Sequence, residues 1–145
     1  KGIIDKNAMS GISVDYNYQI EKNKIPTFTI KTYFIKDSSW VINKSEMTLR
    51  HEKLHFDMTE LYTRKMRMDI EKLRQKGIEE IEPYIEIIQN YSDENLKSDD
   101  LFDRQCFGLT INGQVIERAH EDRQKKWIDS VAIELYKLRE YKLKQ

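Results

Sequence analysis

Two of the chain's three histidines lie four residues apart in the pentapeptide H-E-K-L-H, as His51 and His55 on either side of Glu52. In a helix, residues four apart differ by about 40° in azimuth and roughly 6 Å in height, so both imidazoles can reach one ion. Zinc accepts neutral imidazole, and its catalytic sites use three protein ligands and a water. Glu52 would serve as the general base that takes the proton of this water. The pattern therefore predicts a zinc-dependent hydrolytic site.

The acidic residues that closely follow this motif do not supply the third ligand. Asp57 lies about 200° round the helix from His55, and Glu60 lies about 140° round, so neither can share the ion. We expect Asp57 to form a cap or an ion pair, or to support a ligand from outside the metal's coordination sphere.

The candidates for a third ligand lie downstream. His120 is predicted to lie on the apolar face of the last helix, together with Gln124, Trp127, Val131, Leu135 and Leu138. It is the provisional choice, although a hydrogen-bonded core histidine is an equal interpretation. Cys106 is more typical of a small buried hydrophobic residue than of a metal thiolate. The remaining rivals are carboxylates that lie before His120 in the sequence: Asp99, Asp100 and Asp103.

The motif lies in a long predicted helix that runs from Glu46 to about Gln75 without a glycine or proline. Ser45 is its expected N-cap, and Gly77 is expected to end or bend it. An apolar stripe consists of Leu54, Met58, Leu61 and Met68, with both histidines along its edge and Glu52 further round, toward solvent. The helix thus places the two histidines at a core boundary.

The other segments predict a small sheet and further helices. I-S-V-D-Y-N-Y-Q-I and T-F-T-I-K-T-Y-F-I, separated by the turn E-K-N-K-I-P, indicate an antiparallel hairpin. I-E-E-I-E-P-Y-I-E-I-I-Q-N-Y predicts a short second helix with Pro83 near its first turn. S-D-E-N-L-K-S-D-D-L-F-D-R-Q-C-F-G-L-T-I-N-G is interpreted as a long polar connection, and a last helix is expected from about Gln114 to Lys142. Alternatively, G-L-T-I-N-G-Q-V-I contains another strand with a tight turn at Gly113, and the helix begins a few residues later. These elements predict a single domain of the α+β class over residues 1–145.

The composition argues against several classes of protein. The 25 basic and 25 acidic residues balance, which gives no electrostatic case for binding nucleic acid. No apolar run approaches the roughly 20 residues of a membrane span. One cysteine excludes an internal disulfide. The opening K-G-I-I-D-K-N-A-M-S-G has no apolar core typical of a signal peptide and no initiator methionine, so we expect that a leader has been removed.

Four stretches occur in the same order as in a known family: S-G-I-S-V-D-Y-N-Y, T-I-K-T-Y-F-I-K-D-S-S-W-V, L-R-H-E-K-L-H-F-D-M-T-E-L-Y-T-R-K-M-R and Q-K-K-W. From about Ser10 to Leu138 the chain resembles the bacterial domain of unknown function 922, a family of predicted secreted zinc-dependent proteases. The resemblance implies a zincin-like fold, a peptide or protein substrate and an extracytoplasmic location. It also implies that His51 and His55 bind zinc and that Glu52 is the base.

The resemblance weakens downstream, where the family carries a Tyr-Asp-x-x-Thr-x-His-Gly segment before Gln-x-x-Trp. Phe102 and Asp103 match its start, but Phe107 stands where the histidine would fall. His120 or an aspartate therefore replaces that histidine, or the site is incomplete. Three hypotheses follow: a zinc metallopeptidase, a non-catalytic zinc-binding domain with a degenerate site, and a helical interaction module whose H-E-K-L-H is a solvated face.

Overall fold

The computed structural model describes residues 8–20, 22–41, 45–106, 109–111, 114–117 and 120–144. The element order is β1 (Ala8–Ile20), β2 (Pro26–Val41), α1 (Glu46–Gln75), α2 (Glu82–Cys106), β3 (Leu109–Ile111), β4 (Gln114–Glu117) and α3 (Glu121–Lys137), followed by a 3-10 turn at Arg139–Tyr141. Strands β1 and β2 form one antiparallel pair, and β3 and β4 form another. The predicted α+β class is confirmed, with an N-terminal hairpin packed on three helices.

The N-terminal hairpin packs through the face that its alternating apolar residues predict. Tyr16 pairs with Ile30 and Tyr18 with Phe28, so these side chains share one face of the ribbon. Ile30 and Phe28 belong to a cluster with α1 and α2 whose members are Ile30, Met66, Ile70, Tyr84 and Ile88, with Val14, Phe28, Leu73, Ile78, Ile87 and Tyr91 packed against it. The hairpin thus covers one side of the long helix.

Helix α1 begins and ends where its capping residues predict. The Ser45 hydroxyl accepts a hydrogen bond from the Thr48 backbone N–H at 3.1 Å, which satisfies one of the free N–H groups of the first turn. Gly77 follows the C-cap with φ of +73°, a conformation that favours glycine. The caps of this helix therefore confirm its predicted limits.

The buried surface of α1 is wider than the predicted single stripe. Leu54, Met58 and Leu61 are buried in a second cluster, formed with α2 and α3. Met68 is only half-buried, whereas Met66, two residues earlier, is 1% exposed. The reason is that α1 is covered on two sides, by the hairpin as well as by the other helices.

The prediction of a long polar connection before Cys106 is wrong. Helix α2, which has 25 residues, continues through this segment. The interpretation rested on its serines, aspartates and asparagine, which are weak helix formers. Contacts with α1 override that preference: Asn95 Nδ2 donates to Thr59 Oγ1 at 3.1 Å, and Tyr62 Oη lies 2.6 Å from Ser98 Oγ. The contacts between α1 and the middle of α2 are therefore polar, whereas Phe102 and Cys106 near the end of α2 are buried in the apolar cluster with α1.

The last helix is shorter than the principal expectation and follows the alternative one. Residues Gln114–Glu117 form β4, and α3 occupies Glu121–Lys137. The predicted turn at Gly113 lies outside the described residues. The apolar face of α3 is as expected, because Gln124 and Val131 are buried and Trp127 packs on the core.

Candidate metal centre

The centre lies where α1 and α2 run antiparallel. His51 and His55 project from α1, and Asp99 and Asp103 project from α2, each pair four residues apart on one helix face. The lower-numbered histidine meets the higher-numbered aspartate, as an antiparallel crossing requires. Two i,i+4 pairs on facing helices thus bring four side chains together.

Three atoms converge at the heart of this crossing. His51 Nε2 lies 2.7 Å from Asp103 Oδ1, His55 Nε2 lies 2.8 Å from the same oxygen, and the two Nε2 atoms are 3.2 Å apart. Within the described parts of the chain, this is the one group of three or more His, Cys, Asp or Glu side chains whose ligand atoms lie close enough to hold an ion. The structure therefore contains a group of two imidazoles and one carboxylate that is close enough to bind a metal.

The second nitrogen of each imidazole has its own oxygen partner. His51 Nδ1 lies 3.2 Å from Gln124 Oε1, and His55 Nδ1 lies 2.9 Å from Asp99 Oδ1. Gln124 comes from α3, so the centre is held by all three helices.

Aromatic packing surrounds one side of the centre. The Phe102 ring stacks on the His51 imidazole with centroids 4.0 Å apart, and Trp127 packs on Phe102 at 5.4 Å. The His51 side chain is fully buried, whereas that of Asp103 is 26% exposed. Solvent therefore reaches the centre from the carboxylate side.

Burial and the shared carboxylate shift the pKa values of the two histidines in opposite directions. Burial lowers the pKa of His51, and its contact with Asp103 opposes this only in part. Burial acts the same way on His55, but hydrogen bonds to Asp103 and Asp99 outweigh it and raise the pKa of His55 to about 9. Burial favours a neutral Asp103, yet the hydrogen bonds from both histidines hold the pKa of its carboxyl far below the usual range.

With His51 neutral, its contacts with Gln124 and Asp103 cannot both be hydrogen bonds in the metal-free centre. Neutral His51 carries a single N–H group, yet its two nitrogens face Gln124 Oε1 and Asp103 Oδ1, which are both acceptors. One of these two contacts must therefore place lone pair against lone pair. A cation between the two Nε2 atoms and Asp103 Oδ1 removes the conflict, since all three lone pairs then point at positive charge and both Nδ1–H groups keep their acceptors.

The donor set and its spacing suit zinc. Two imidazoles and a carboxylate are ligands that zinc takes at about 2.0–2.2 Å, which places tetrahedral donors about 3.3–3.5 Å apart. The observed separations of 2.7, 2.8 and 3.2 Å fall below this range. The ligand atoms need to separate by about 0.1–0.8 Å to hold the ion, a movement within reach of small side-chain rotations.

The provisional third ligand, His120, is not in the group. It is the N-cap residue of α3, and its backbone N–H donates to Cys106 O at 2.8 Å. Gln124, one turn further along α3, takes the place beside His51. The described residues thus bring Asp103, rather than His120, to the two histidines. Phe107, where the resemblance expects a histidine, lies outside the described residues.

Glu52 is half-buried on α1 beside His51, and its carboxylate is not a member of the group. Its predicted role as general base concerns the reaction and not metal binding, and it stays a prediction.

The other acidic candidates have structural roles. Asp57 forms an ion pair of 2.7 Å with Lys53, which confirms one of its expected roles. Glu60 accepts from Arg64 and Arg67 at 3.1 and 3.0 Å and is outside the metal group, as helical geometry predicts. Asp100 pairs with the exposed Arg104 at 2.9 Å.

Cys106 is fully buried in the core, where burial raises the pKa of its thiol to about 11. The interpretation of Cys106 as a small buried hydrophobic residue is therefore confirmed.

Gln124 and the pairing of Asp99 with Asp103 were the features that sequence reasoning missed. The four-residue spacing of the aspartates mirrors that of the histidines, but it signals a shared face only if the segment is helical. The expectation of a loop hid this signal. Gln124 was identified only as one position on the apolar face of the last helix.

No protein-family model matches this chain, and neither a curated protein nor a solved structure shows significant similarity to it. The resemblance to the domain of unknown function 922 family therefore stays a prediction. None of the described helices is both long and apolar enough to cross a membrane.

Proposed function

We propose that the chain is a zinc-dependent hydrolase that holds the ion through His51, His55 and Asp103. The observation that carries this proposal is the convergence of His51 Nε2, His55 Nε2 and Asp103 Oδ1 at mutual distances of 2.7–3.2 Å. Three protein ligands leave one coordination position open, which is typical of catalytic zinc sites and not of closed structural ones.

The chemistry follows from the ligands and from Glu52. Zinc, when bound, acts as a Lewis acid that polarises a carbonyl and acidifies water. Glu52 is the general base that takes the proton of the attacking water, and Asp103 presents its charge on the solvent-accessible side. The phenyl ring of Phe102 keeps water from the buried imidazole of His51.

Peptide bonds are the proposed substrate, and this part rests on the resemblance. The H-E-K-L-H-F-D-M-T-E-L-Y-T-R-K stretch is far longer than the five-residue metal motif, and the family that it resembles consists of predicted secreted proteases. An extracytoplasmic location is part of the same proposal.

The test combines metal analysis with one substitution. We expect about one zinc per chain, and hydrolysis of a quenched fluorescent peptide library that stops on chelation. Glu52→Gln should keep the zinc and lose about 100- to 10,000-fold in rate, the usual contribution of a general base. Glu94→Gln, an exposed glutamate on α2, is the matched control and should keep full activity. A protein that takes up no zinc at neutral pH contradicts the proposal.

A second candidate is a zinc site that serves only to fasten α2 to α1. The polar contacts between α1 and the middle of α2 favour it, because Asn95 and Ser98 contribute hydrogen bonds and little apolar burial there. In that case Glu52→Gln is silent in every assay, while chelation still lowers the melting temperature.

A further inference from the structure

Gln124 has a fixed orientation that determines the tautomer of His51. Its side chain is 2% exposed, and its Nε2 donates to the Met47 backbone oxygen at 2.9 Å. The amide therefore turns its oxygen toward His51 Nδ1, 3.2 Å away. Because an amide oxygen only accepts, the proton of neutral His51 is drawn to Nδ1 and the lone pair is left on Nε2.

Asp99 exerts the same control on His55 through a charged group. Its Oδ1 lies 2.9 Å from His55 Nδ1, and its side chain is 27% exposed. A carboxylate accepts and does not donate, so the proton stays on Nδ1 and Nε2 faces the centre. Both imidazoles therefore present the same nitrogen to the same point, although their partners come from different helices.

We propose that Gln124 and Asp99 are positioning residues for the metal, which keep both Nδ1 atoms protonated and aim both Nε2 lone pairs at the ion. This inference rests on the proposed zinc binding and extends it to two residues outside the ligand set. One histidine has a neutral partner and the other a charged partner, and the difference follows the burial of the two histidines. The uncharged amide contacts the fully buried His51, where a carboxylate would be costly to desolvate. The carboxylate serves the partly exposed His55, and with Asp103 it balances the two charges of the ion.

The test measures zinc affinity by chelator competition in three variants and one control. Asp99→Ala and Gln124→Leu remove the acceptors and should weaken zinc binding about 10- to 100-fold, the usual effect of losing such a partner. Asp99→Asn restores an acceptor and should recover most of that loss. Asp100→Ala, next to Asp99 but 60% exposed and paired with Arg104, is the matched control and should bind zinc like the wild type.

Cobalt substitution gives a readout that does not depend on turnover. The visible absorption of cobalt reports ligand orientation, so Asp99→Ala and Gln124→Leu should change the spectrum whereas Asp100→Ala should not. If Gln124→Leu does not fold, the two Asp99 variants test the inference, because the Asp99 side chain is partly exposed.

The inference is overturned if zinc affinity and the cobalt spectrum of Asp99→Ala match those of the wild type while His51→Ala abolishes binding. That result leaves the proposed function standing. A wild-type protein that takes up no zinc overturns both.

Discussion

The assignment of Asp103 as third ligand makes a quantitative prediction for two matched alanine variants. A ligand present at 100 times its dissociation constant stabilises the folded state by about 2.7 kcal/mol if it does not bind the unfolded chain. For 145 residues the entropy of unfolding is about 0.3 kcal/mol/K. Zinc at this concentration should therefore raise the melting temperature of the wild type by about 9 °C.

Asp103→Ala should lose nearly all of this shift. The carboxylate is one of three ligands and carries the only negative charge among them, so we expect its removal to weaken zinc binding at least about 1,000-fold, or about 4 kcal/mol. At the same zinc concentration the remaining shift is then below about 1 °C. His120→Ala should keep about 9 °C, because His120 is not in the group.

The assay is differential scanning fluorimetry of each variant with zinc and with chelator, comparing the difference between the two curves. This difference cancels any direct effect of the substitution on the metal-free protein. The reasoning fails if Asp103→Ala keeps half or more of the wild-type shift, and a loss in His120→Ala would restore a histidine as the third ligand.

Three further predictions concern pH, the thiol and a turn. Burial opposes protonation of His55, but Asp103 and Asp99 raise its pKa to about 9, so its charged form stabilises the metal-free fold below pH 6.5 and this contribution is lost as pH rises toward 9. The pKa of His51 is lowered, so the contribution of His51 to stability is constant above pH 6.5. The melting temperature of the metal-free protein should therefore fall between pH 6.5 and 9. A flat profile, or the same fall in His55→Gln, would contradict this. Cys106 is fully buried with a pKa of about 11, so a thiol reagent at pH 8 should label it only as fast as the protein unfolds; rapid labelling of the folded chain would disprove the burial. Gly77→Ala should lower the free energy of unfolding by about 1 kcal/mol in urea titrations, because φ is +73° there, while Gly77→Asn should cost less; equal stability of alanine and wild type would refute the strain.

The predictable parts of the fold are those whose signals are local. Alternation of apolar residues located the hairpin, and Ser45 and Gly77 marked the limits of α1, because capping and strand periodicity act within a few residues. Helical geometry likewise kept His51 and His55 together and excluded Asp57 and Glu60 from the metal group.

The unpredicted parts depend on contacts between distant segments. Asp99 and Asp103 lie in a stretch with weak helix propensity, which becomes helical where it meets α1, so the second half of the centre could not be located before the helix was known. Gln124 is 73 residues from His51, and nothing in the local pattern links them. The third ligand was therefore the least predictable part of the site.

The polar contacts between α1 and the middle of α2 have a consequence for the energy landscape of the chain. Helix α2 is anchored near both ends, by buried Tyr84 and Ile88 and by buried Phe102 and Cys106, whereas Leu96 between these anchors is 67% exposed. Asn95 Oδ1 is buried without a hydrogen-bond partner among the described residues, which adds a desolvation cost to the docked state. We expect the middle of α2 to open locally more often than either end. Occupancy of the metal centre would then set how often the chain opens there, and so how readily proteases attack it.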